Sequence, residues 1–142
     1  DRIISLFQSR GEAVTGRVVA LWGMAFKPDT DDVREAPAVV MAERLLQAGF
    51  SVRAYDPQAS ETGAAELSKY SAFAVAPTAM AALSGADVLL IATEWKEFSQ
   101  VSPADVARSM RSPTVFDGRS VFNVAAAREA GLNYHAFGRA HA

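Results

Sequence analysis

The chain has 142 residues, of which 50% are apolar and 21% are charged, so it is long and apolar enough to form one domain with a sizeable core. Its formal net charge of -2 argues against a protein that binds nucleic acid through a generally basic face, but leaves room for a local basic pocket. The chain contains no cysteine, which excludes a disulfide, a thiolate metal site and a thiol nucleophile within it.

Neither a membrane span nor a secretion signal is present in the sequence. No apolar run approaches the roughly 20 residues that a spanning helix needs, and no signal-peptide pattern opens the chain. We therefore expect a cytoplasmic protein. The first residue is Asp1 and not Met, and it lies in a helix-like stretch that reaches about Gln8. We interpret residues 1–16 as the end of a connecting helical region of a longer polypeptide, and residues 17–142 as a separate domain.

The first half of the chain alternates strand-like and helix-like runs. A continuous apolar run at 17–22 predicts a buried strand that ends at Gly23. After a long polar loop, a helix is expected to begin at Pro37 and to stop at Gly49, because proline fits a first helical turn and glycine fits a C-cap. The other elements expected here are strands at 51–55 and 73–75 and a short helix or loop at 60–69.

The second half continues the same alternation. A fully apolar run at 88–92 predicts another buried strand, which is followed by a loop at 93–98. Ser102 and Pro103 predict the N-cap and first residue of a helix that reaches about Met110. The other elements expected here are a short helix at 79–83, a strand at 114–116, a helix at 124–129 that stops at Gly131, and a strand at 134–137.

This order of elements predicts the fold class. Strands that alternate with helices are typical of an α/β fold, and here they predict a doubly wound, mostly parallel sheet of about five to six strands with helices on both faces. Right-handed crossovers bring the loops that follow the strands to one edge of such a sheet, where ligands bind. Lys27, Arg34, Trp95 and Arg119 all lie in these loops.

The loop after the first strand, 23–35, is the strongest candidate for a binding site. A strand, a polar loop and a helix in that order form the mouth of nucleotide sites in open α/β sheets. The loop carries two cations, Lys27 and Arg34, on a chain that is otherwise slightly acidic. An ammonium and a guanidinium suit an anionic ligand such as a diphosphate. The alternatives are a solvated lysine and an ion pair between Arg34 and a carboxylate of its own loop.

The same loop does not have the pattern of a dinucleotide site. Residues 23–27 read Gly-Met-Ala-Phe-Lys and lack the second and third glycines that let a pyrophosphate approach the backbone. Asp56 follows the second strand, where an acid could bind a ribose, but it lies further from Gly23 than the usual spacing of about 20 residues. A self-contained NAD site is therefore not expected, and we interpret Asp56 and Pro57 as a turn that ends the strand.

Two later loops carry further candidates. Arg119, which follows Asp117 and Gly118, could reach the same cleft, and the alternative is a salt bridge to Asp117 across the turn. Trp95 and Phe98 could stack on a base, although packing beneath the loop is the favoured interpretation.

A metal site is not favoured by the sequence. Asp29, Asp31 and Asp32 could suggest magnesium, but carboxylates at such positions also accept hydrogen bonds from backbone N–H groups in turns and at helix starts. His135 and His141 are too few ligands for a usual zinc site.

Three blocks of sequence together resemble a known family. They are residues 23–37, the Ala-Tyr-Asp-Pro run at 54–57, and the Thr-Glu-Trp run at 93–95 with Phe98 and then Phe-Asp-Gly-Arg at 116–119. In this order they resemble the C-terminal, nucleotide-sugar-binding domain of the UDP-glucose/GDP-mannose dehydrogenase family, over about residues 17 to 139. The third block is more similar to the branch that oxidises UDP-glucose than to the GDP-mannose and UDP-N-acetylmannosamine branches.

The resemblance implies a function and a set of site residues. Members of the family oxidise the sugar 6-hydroxyl twice, to a carboxylate, with two NAD, and they look like two Rossmann-like domains joined by a long helix that makes a homodimer. The resemblance implies that Phe26, Lys27 and Arg119 contact UDP-glucose. It also implies that Arg34 contacts NAD, which is held mainly by the N-terminal domain.

The missing cysteine limits what the chain itself does. The family uses a cysteine thiolate to form a thiohemiacetal and then a thioester between the two oxidations. The chain has no cysteine, so the resemblance implies a substrate-binding piece that is inactive alone. The alternatives are a stand-alone nucleotide-binding module without chemistry, or the matching domain of a GDP-mannose or UDP-N-acetylmannosamine dehydrogenase.

Overall fold

Six parallel strands form the centre of the protein. The computed structural model describes residues 17–23, 37–56, 67, 70–92, 96–112, 114–117, 122 and 124–136. The strands are β1 (Val18–Trp22), β2 (Ser51–Tyr55), β3 (Phe73–Val75), β4 (Val88–Ile91), β5 (Thr114–Asp117) and β6 (Asn133–Ala136). They form one sheet in the order β3-β2-β1-β4-β5-β6, and every neighbouring pair is parallel. The predicted fold class, a doubly wound Rossmann-like sheet, is confirmed.

Five helices accompany these strands in the part of the chain that the structure describes. They are α1 (Pro37–Ala48), α2 (Ala79–Leu83), α3 (Lys96–Ser99), α4 (Pro103–Ser109) and α5 (Val124–Glu129). Helix α1 stops where Gly49 adopts a φ of 112°, a backbone conformation that glycine adopts without the steric cost of a Cβ atom. Helix α4 begins after Ser102, whose hydroxyl accepts a hydrogen bond of 3.1 Å from the backbone N–H of Ala104.

The sheet is buried on both faces because its side chains alternate between two apolar layers. One layer contains α1, and its buried members are Val19, Leu21, Ala42, Leu45, Leu46, Phe50, Val52, Ala54, Leu67, Val88, Leu90, Ala92 and Phe116. The other layer contains the remaining helices and includes Ala20, Trp22, Leu83, Leu89, Ile91, Phe98, Val106, Val115, Ala127 and Tyr134. Strands buried on both faces require apolar residues at every position, which is why β1 and β4 read as continuous apolar runs.

One predicted loop is partly helical. Residues 93–98 were expected to form a loop, but Lys96–Ser99 form the single turn α3. The turn is stabilised by tertiary packing, because Phe98 is fully buried against the sheet. Among the described residues, no helix is long and apolar enough to cross a membrane. The expected helix at residues 1–8 and most of the expected helix or loop at 60–69 lie outside the described residues.

Candidate functional site

The strand order places the candidate site at the carboxyl ends of β1 and β4. The chain leaves β1 towards one side of the sheet and reaches β4 on the other, so the order reverses between these two strands. Ligands of open α/β sheets bind in the crevice at such a switch point. Gly23, with a φ of 98°, ends β1 there, and its backbone N–H donates a hydrogen bond of 2.8 Å to the carbonyl of Tyr55.

The residues predicted to bind ligand follow the ends of these strands. Phe26, Lys27 and Arg34 come after β1, and Arg119 comes after β5, which is separated from β1 only by β4. Two strand spacings of about 4.8 Å place the ends of β1 and β5 roughly 10 Å apart on one edge. All four residues lie outside the described residues, as do Trp95, Asp29, Asp31, Asp32 and His141. Their roles therefore stay predictions.

Four aromatic side chains pack beneath this edge, and we call them the aromatic cluster: Trp22, Tyr55, Phe98 and Phe122. The rings of Trp22 and Phe98 are stacked, with centroids 4.9 Å apart. Phe122 meets Trp22 edge-on at 6.2 Å, and Tyr55 meets Phe98 edge-on at 6.3 Å. Such offset and edge-on contacts are favourable arrangements of aromatic rings. The cluster joins the segments that end or follow β1, β2, β4 and β5.

Burial decides between two interpretations of Phe98. Its side chain is fully buried, and the indole of Trp22 on which it stacks is also fully buried. The Trp22 Nε1 donates a hydrogen bond of 3.0 Å to the carbonyl of Ala79, so its polar atom is satisfied inside the core. Phe98 therefore packs in the core against Trp22, and the interpretation that it stacks on a base is wrong.

The pKa of Tyr55 is clearly shifted by its surroundings. Burial, a hydrogen bond from its hydroxyl to the carboxylate of Glu97, and the charges of Glu97 and Asp56 together raise the pKa of Tyr55 from 10.0 to about 12. Each of these causes favours the neutral hydroxyl. Because Glu97 lies on α3, this hydrogen bond ties the helix that follows the 93–95 segment to the end of β2.

The end of β2 does not fit a dinucleotide. Asp56 is only 2% exposed, so its carboxylate is not accessible to a ribose. Gly23 is the only glycine among residues 23–36, whereas a pyrophosphate cradle uses several. The described residues of the second strand end therefore do not fit NAD. The proposed turn of Asp56 and Pro57 stays a prediction, because Pro57 lies outside the described residues.

A second buried carboxylate lies at the end of β5. Asp117 is fully buried, and its Oδ2 accepts hydrogen bonds of 2.6 Å from the hydroxyl of Tyr134 and 3.1 Å from the backbone N–H of Phe122. Tyr134 lies on β6, opposite Val115 of β5 in the strand register. Tyr134 was not among the site residues predicted from the sequence. The alternation of side chains along β6 was the pattern that could have found it.

Of the residues considered for a metal site, only His135 lies among the described residues. The ring of His135 stacks on Phe116 with centroids 4.6 Å apart, so this histidine packs against the sheet as a strand residue. No group of three or more metal-ligating side chains occurs among the described residues.

Comparison with known proteins agrees with this geometry. The model of the UDP-glucose/GDP-mannose dehydrogenase family, UDP binding domain, matches residues 20–124. A UDP-glucose 6-dehydrogenase of Pseudomonas aeruginosa is 45% identical over 140 residues, which is 96% of this chain and 30% of that protein. The chain thus spans less than a third of the length of this relative.

Solved structures show the same fold. A UDP-glucose dehydrogenase from the archaeon Pyrobaculum islandicum superposes with a TM-score of 0.73 at 34% identity, over 93% of this chain and 28% of that one. A UDP-D-ManNAc dehydrogenase from Pyrococcus horikoshii superposes with a TM-score of 0.75 over 99% of this chain and 30% of that one, but at 24% identity it supports the fold alone. The fold of this chain agrees with its sequence similarity. The chain belongs to the UDP-glucose/GDP-mannose dehydrogenase family, as its C-terminal UDP-binding domain.

Proposed function

We propose that the protein that carries this chain is an NAD-dependent UDP-glucose 6-dehydrogenase. It converts UDP-glucose, water and two NAD⁺ to UDP-glucuronate and two NADH, with release of protons. The observation that carries this proposal is the 45% identity to a UDP-glucose 6-dehydrogenase over 96% of the chain. The Thr-Glu-Trp run at 93–95 with Phe98 supports the same branch.

The task of this chain in the reaction is to bind and orient the nucleotide sugar. We propose that Phe26 and Lys27 contact UDP-glucose from the segment after β1, and that Arg119 reaches it from the segment after β5. A lysine ammonium suits a phosphate as a point charge, and an arginine guanidinium suits it as a planar fork. Holding the substrate in one position against groups of the other domain lowers the entropic part of the barrier.

NAD would be held mainly outside this chain. NAD supplies the hydride acceptor for both oxidations when it is bound. The buried Asp56 and the lone Gly23 do not form a dinucleotide cradle. The contribution that we propose from this chain is Arg34, as a contact to cofactor held by an N-terminal domain. With no cysteine, the chain supplies no thiolate, and we expect no NADH from it alone.

The substrate assignment is tested by assaying the full-length protein. We expect NADH production with UDP-glucose and NAD, and little with GDP-mannose or UDP-N-acetylmannosamine. Turnover on either of the other two sugars without turnover on UDP-glucose would overturn the assignment. A gene that starts at this domain, with no upstream GxGxxG domain and no cysteine, would support the stand-alone binding module instead. The full-length protein is expected to be a homodimer by light scattering.

The site assignment is tested by two substitutions in the full-length protein. Losing a hydrogen bond to a charged group costs about 1.5–3 kcal/mol, so Lys27→Ala and Arg119→Ala should each raise the KM for UDP-glucose by roughly 10-fold or more. The matched control is Arg44→Ala, on an exposed position of α1, which should leave the KM unchanged. An unchanged KM in Lys27→Ala or Arg119→Ala would remove that residue from the site.

A further inference from the structure

The buried carboxylate of Asp117 holds both ends of a short segment of chain. Asp117 is the last residue of β5, and Phe122 is the next described residue after it. The Asp117 Oδ2 accepts the hydrogen bond of 3.1 Å from the Phe122 backbone N–H. This bond joins the two described residues on either side of 118–121, the segment that contains Arg119.

A third group from the neighbouring strand completes the arrangement. The hydroxyl of Tyr134 lies 2.6 Å from the Asp117 Oδ2 and 3.2 Å from the Phe122 carbonyl oxygen. A phenol carries one proton, so the shorter contact to the charged acceptor is the one it donates to. The hydroxyl thus lies against both ends of the segment at once. Asp117, Phe122 and Tyr134 are at most 6% exposed, so water does not compete for these bonds.

Packing adds to the hydrogen bonds at the far end of the segment. The ring of Phe122 contacts Trp22 of the aromatic cluster edge-on. Trp22 immediately precedes Gly23 and the segment that carries Lys27. The contact between Phe122 and Trp22 therefore joins the described residues that border the segments carrying both predicted substrate-binding cations.

We propose that Asp117, Tyr134 and Phe122 form a brace that positions Arg119 for the nucleotide sugar, so that Tyr134 is a positioning residue of the substrate site. This inference rests on the proposed function, because it requires Arg119 to contact UDP-glucose. Ordering the backbone that carries a binding residue costs conformational entropy, and bonds that order the flanking residues in advance reduce the part of this cost that falls on binding. A brace of this kind affects the substrate through Arg119 and does not touch the substrate itself.

The direct test is Tyr134→Phe in the full-length enzyme, which removes the hydroxyl and keeps the ring. We expect kcat/KM for UDP-glucose to fall roughly 3- to 10-fold, mainly through KM, because a slightly misplaced binding group weakens binding. The KM for NAD should not change. The matched control is Tyr70→Phe, which removes a hydroxyl bonded to Glu43 and Gln47 beside α1. This control should leave both KM values unchanged.

A double-variant cycle separates the brace from a general loss of stability. If Tyr134 acts through Arg119, Tyr134→Phe should have no further effect on the UDP-glucose KM in an Arg119→Ala background. An equal fold-change in both backgrounds, or no change in the single variant, would overturn the brace while Arg119 keeps its role. An Arg119→Ala enzyme with an unchanged KM would overturn the site assignment and the brace with it.

A second variant keeps the test decisive if Tyr134→Phe does not fold. Asp117→Asn preserves the shape of the side chain and removes the charge that both donors contact. Because hydrogen bonds to neutral acceptors are weaker, the KM for UDP-glucose should rise in the same direction, and the effect should again disappear in the Arg119→Ala background. A rise that persists in that background would contradict the proposal.

Discussion

Two buried carboxylates lie at opposite edges of the sheet and contact different parts of the chain. Asp87 precedes β4 at the amino edge, where it is 1% exposed and has arginine neighbours: its Oδ1 lies 3.6 Å from Arg17 and 3.7 Å from Arg111. Asp117 ends β5 at the carboxyl edge, where its Oδ2 accepts hydrogen bonds from the hydroxyl of Tyr134 and from the backbone N–H of Phe122.

The difference corresponds to what each edge does. Asp87 Oδ2 accepts a hydrogen bond of 2.9 Å from the Val18 N–H, and the Asp87 N–H donates to the Val18 carbonyl at 2.8 Å. These bonds connect the starts of two central strands, which is a contribution to stability. The bonds of Asp117 instead close a segment that follows a strand, at the edge where ligands bind. At the amino edge Asp87 joins two strands, whereas at the carboxyl edge Asp117 bonds to residues that flank a segment that we propose contacts substrate.

The largest effect on stability is expected at the amino edge. Asp87→Ala removes the acceptor of the Val18 N–H and leaves two arginines without their carboxylate. A buried donor or charge that loses its partner costs about 2–4 kcal/mol, so the free energy of unfolding should fall by that amount. Urea unfolding of the chain measures this loss.

The control for Asp87 is an acidic residue whose ion pair lies in solvent. Asp105 pairs with Arg108 one helical turn later, and their side chains are 47% and 71% exposed. Asp105→Ala should lower the free energy of unfolding by less than about 1 kcal/mol. If the two variants lost equal stability, burial of Asp87 would not be the reason for its effect, and the contrast between the edges would fail.

A smaller effect, with a defined pH dependence, is expected for Tyr55 at the carboxyl edge. The raised pKa of about 12 means that the folded protein favours the neutral hydroxyl. This preference for the neutral form stabilises the fold and is fully present below pH 10. It is lost as the pH rises from 10 to 12, because only the unfolded chain then ionises this tyrosine. The difference in unfolding free energy between wild type and Tyr55→Phe should therefore shrink over that range.

Glu97→Gln sharpens the same experiment. The amide removes the negative charge and keeps a hydrogen-bond acceptor. The pKa of Tyr55 should therefore fall towards 10.0, but burial should still keep it above that value. The absorbance titration of tyrosinate, taken as the difference between each protein and its Tyr55→Phe counterpart, follows this pKa directly. An identical titration with glutamate and glutamine at position 97 would mean that burial and the charge of Asp56, and not Glu97, raise the pKa of Tyr55.

The sequence predicted the regular elements closely and the tertiary contacts hardly at all. The bounds of β2, β3, α2 and α5 agree with the predicted ones because apolar runs and flanking glycine or proline define them locally. Helix α3 was missed because the burial of Phe98 against Trp22 stabilises it, and that contact joins distant parts of the chain. Tyr134 was missed because its partner Asp117 lies on the neighbouring strand. The substrate residues themselves rest on a resemblance between sequence blocks.

The smallest effect on the free energy of unfolding is expected for Arg111→Ala. Its size shows which interaction of Asp87 contributes most to stability. Arg111 is 65% exposed and its Nε lies 3.7 Å from the carboxylate, so water and salt screen the pair. Arg111→Ala should cost less than about 1 kcal/mol, and raising the salt to about 1 M should remove most of that cost. Arg17, at 28% exposed, should cost more when replaced by alanine. If Arg111→Ala instead cost as much as Asp87→Ala, the charge of Asp87 would outweigh its bond to the Val18 N–H. The amino edge would then be held together by ion pairs and not by the backbone.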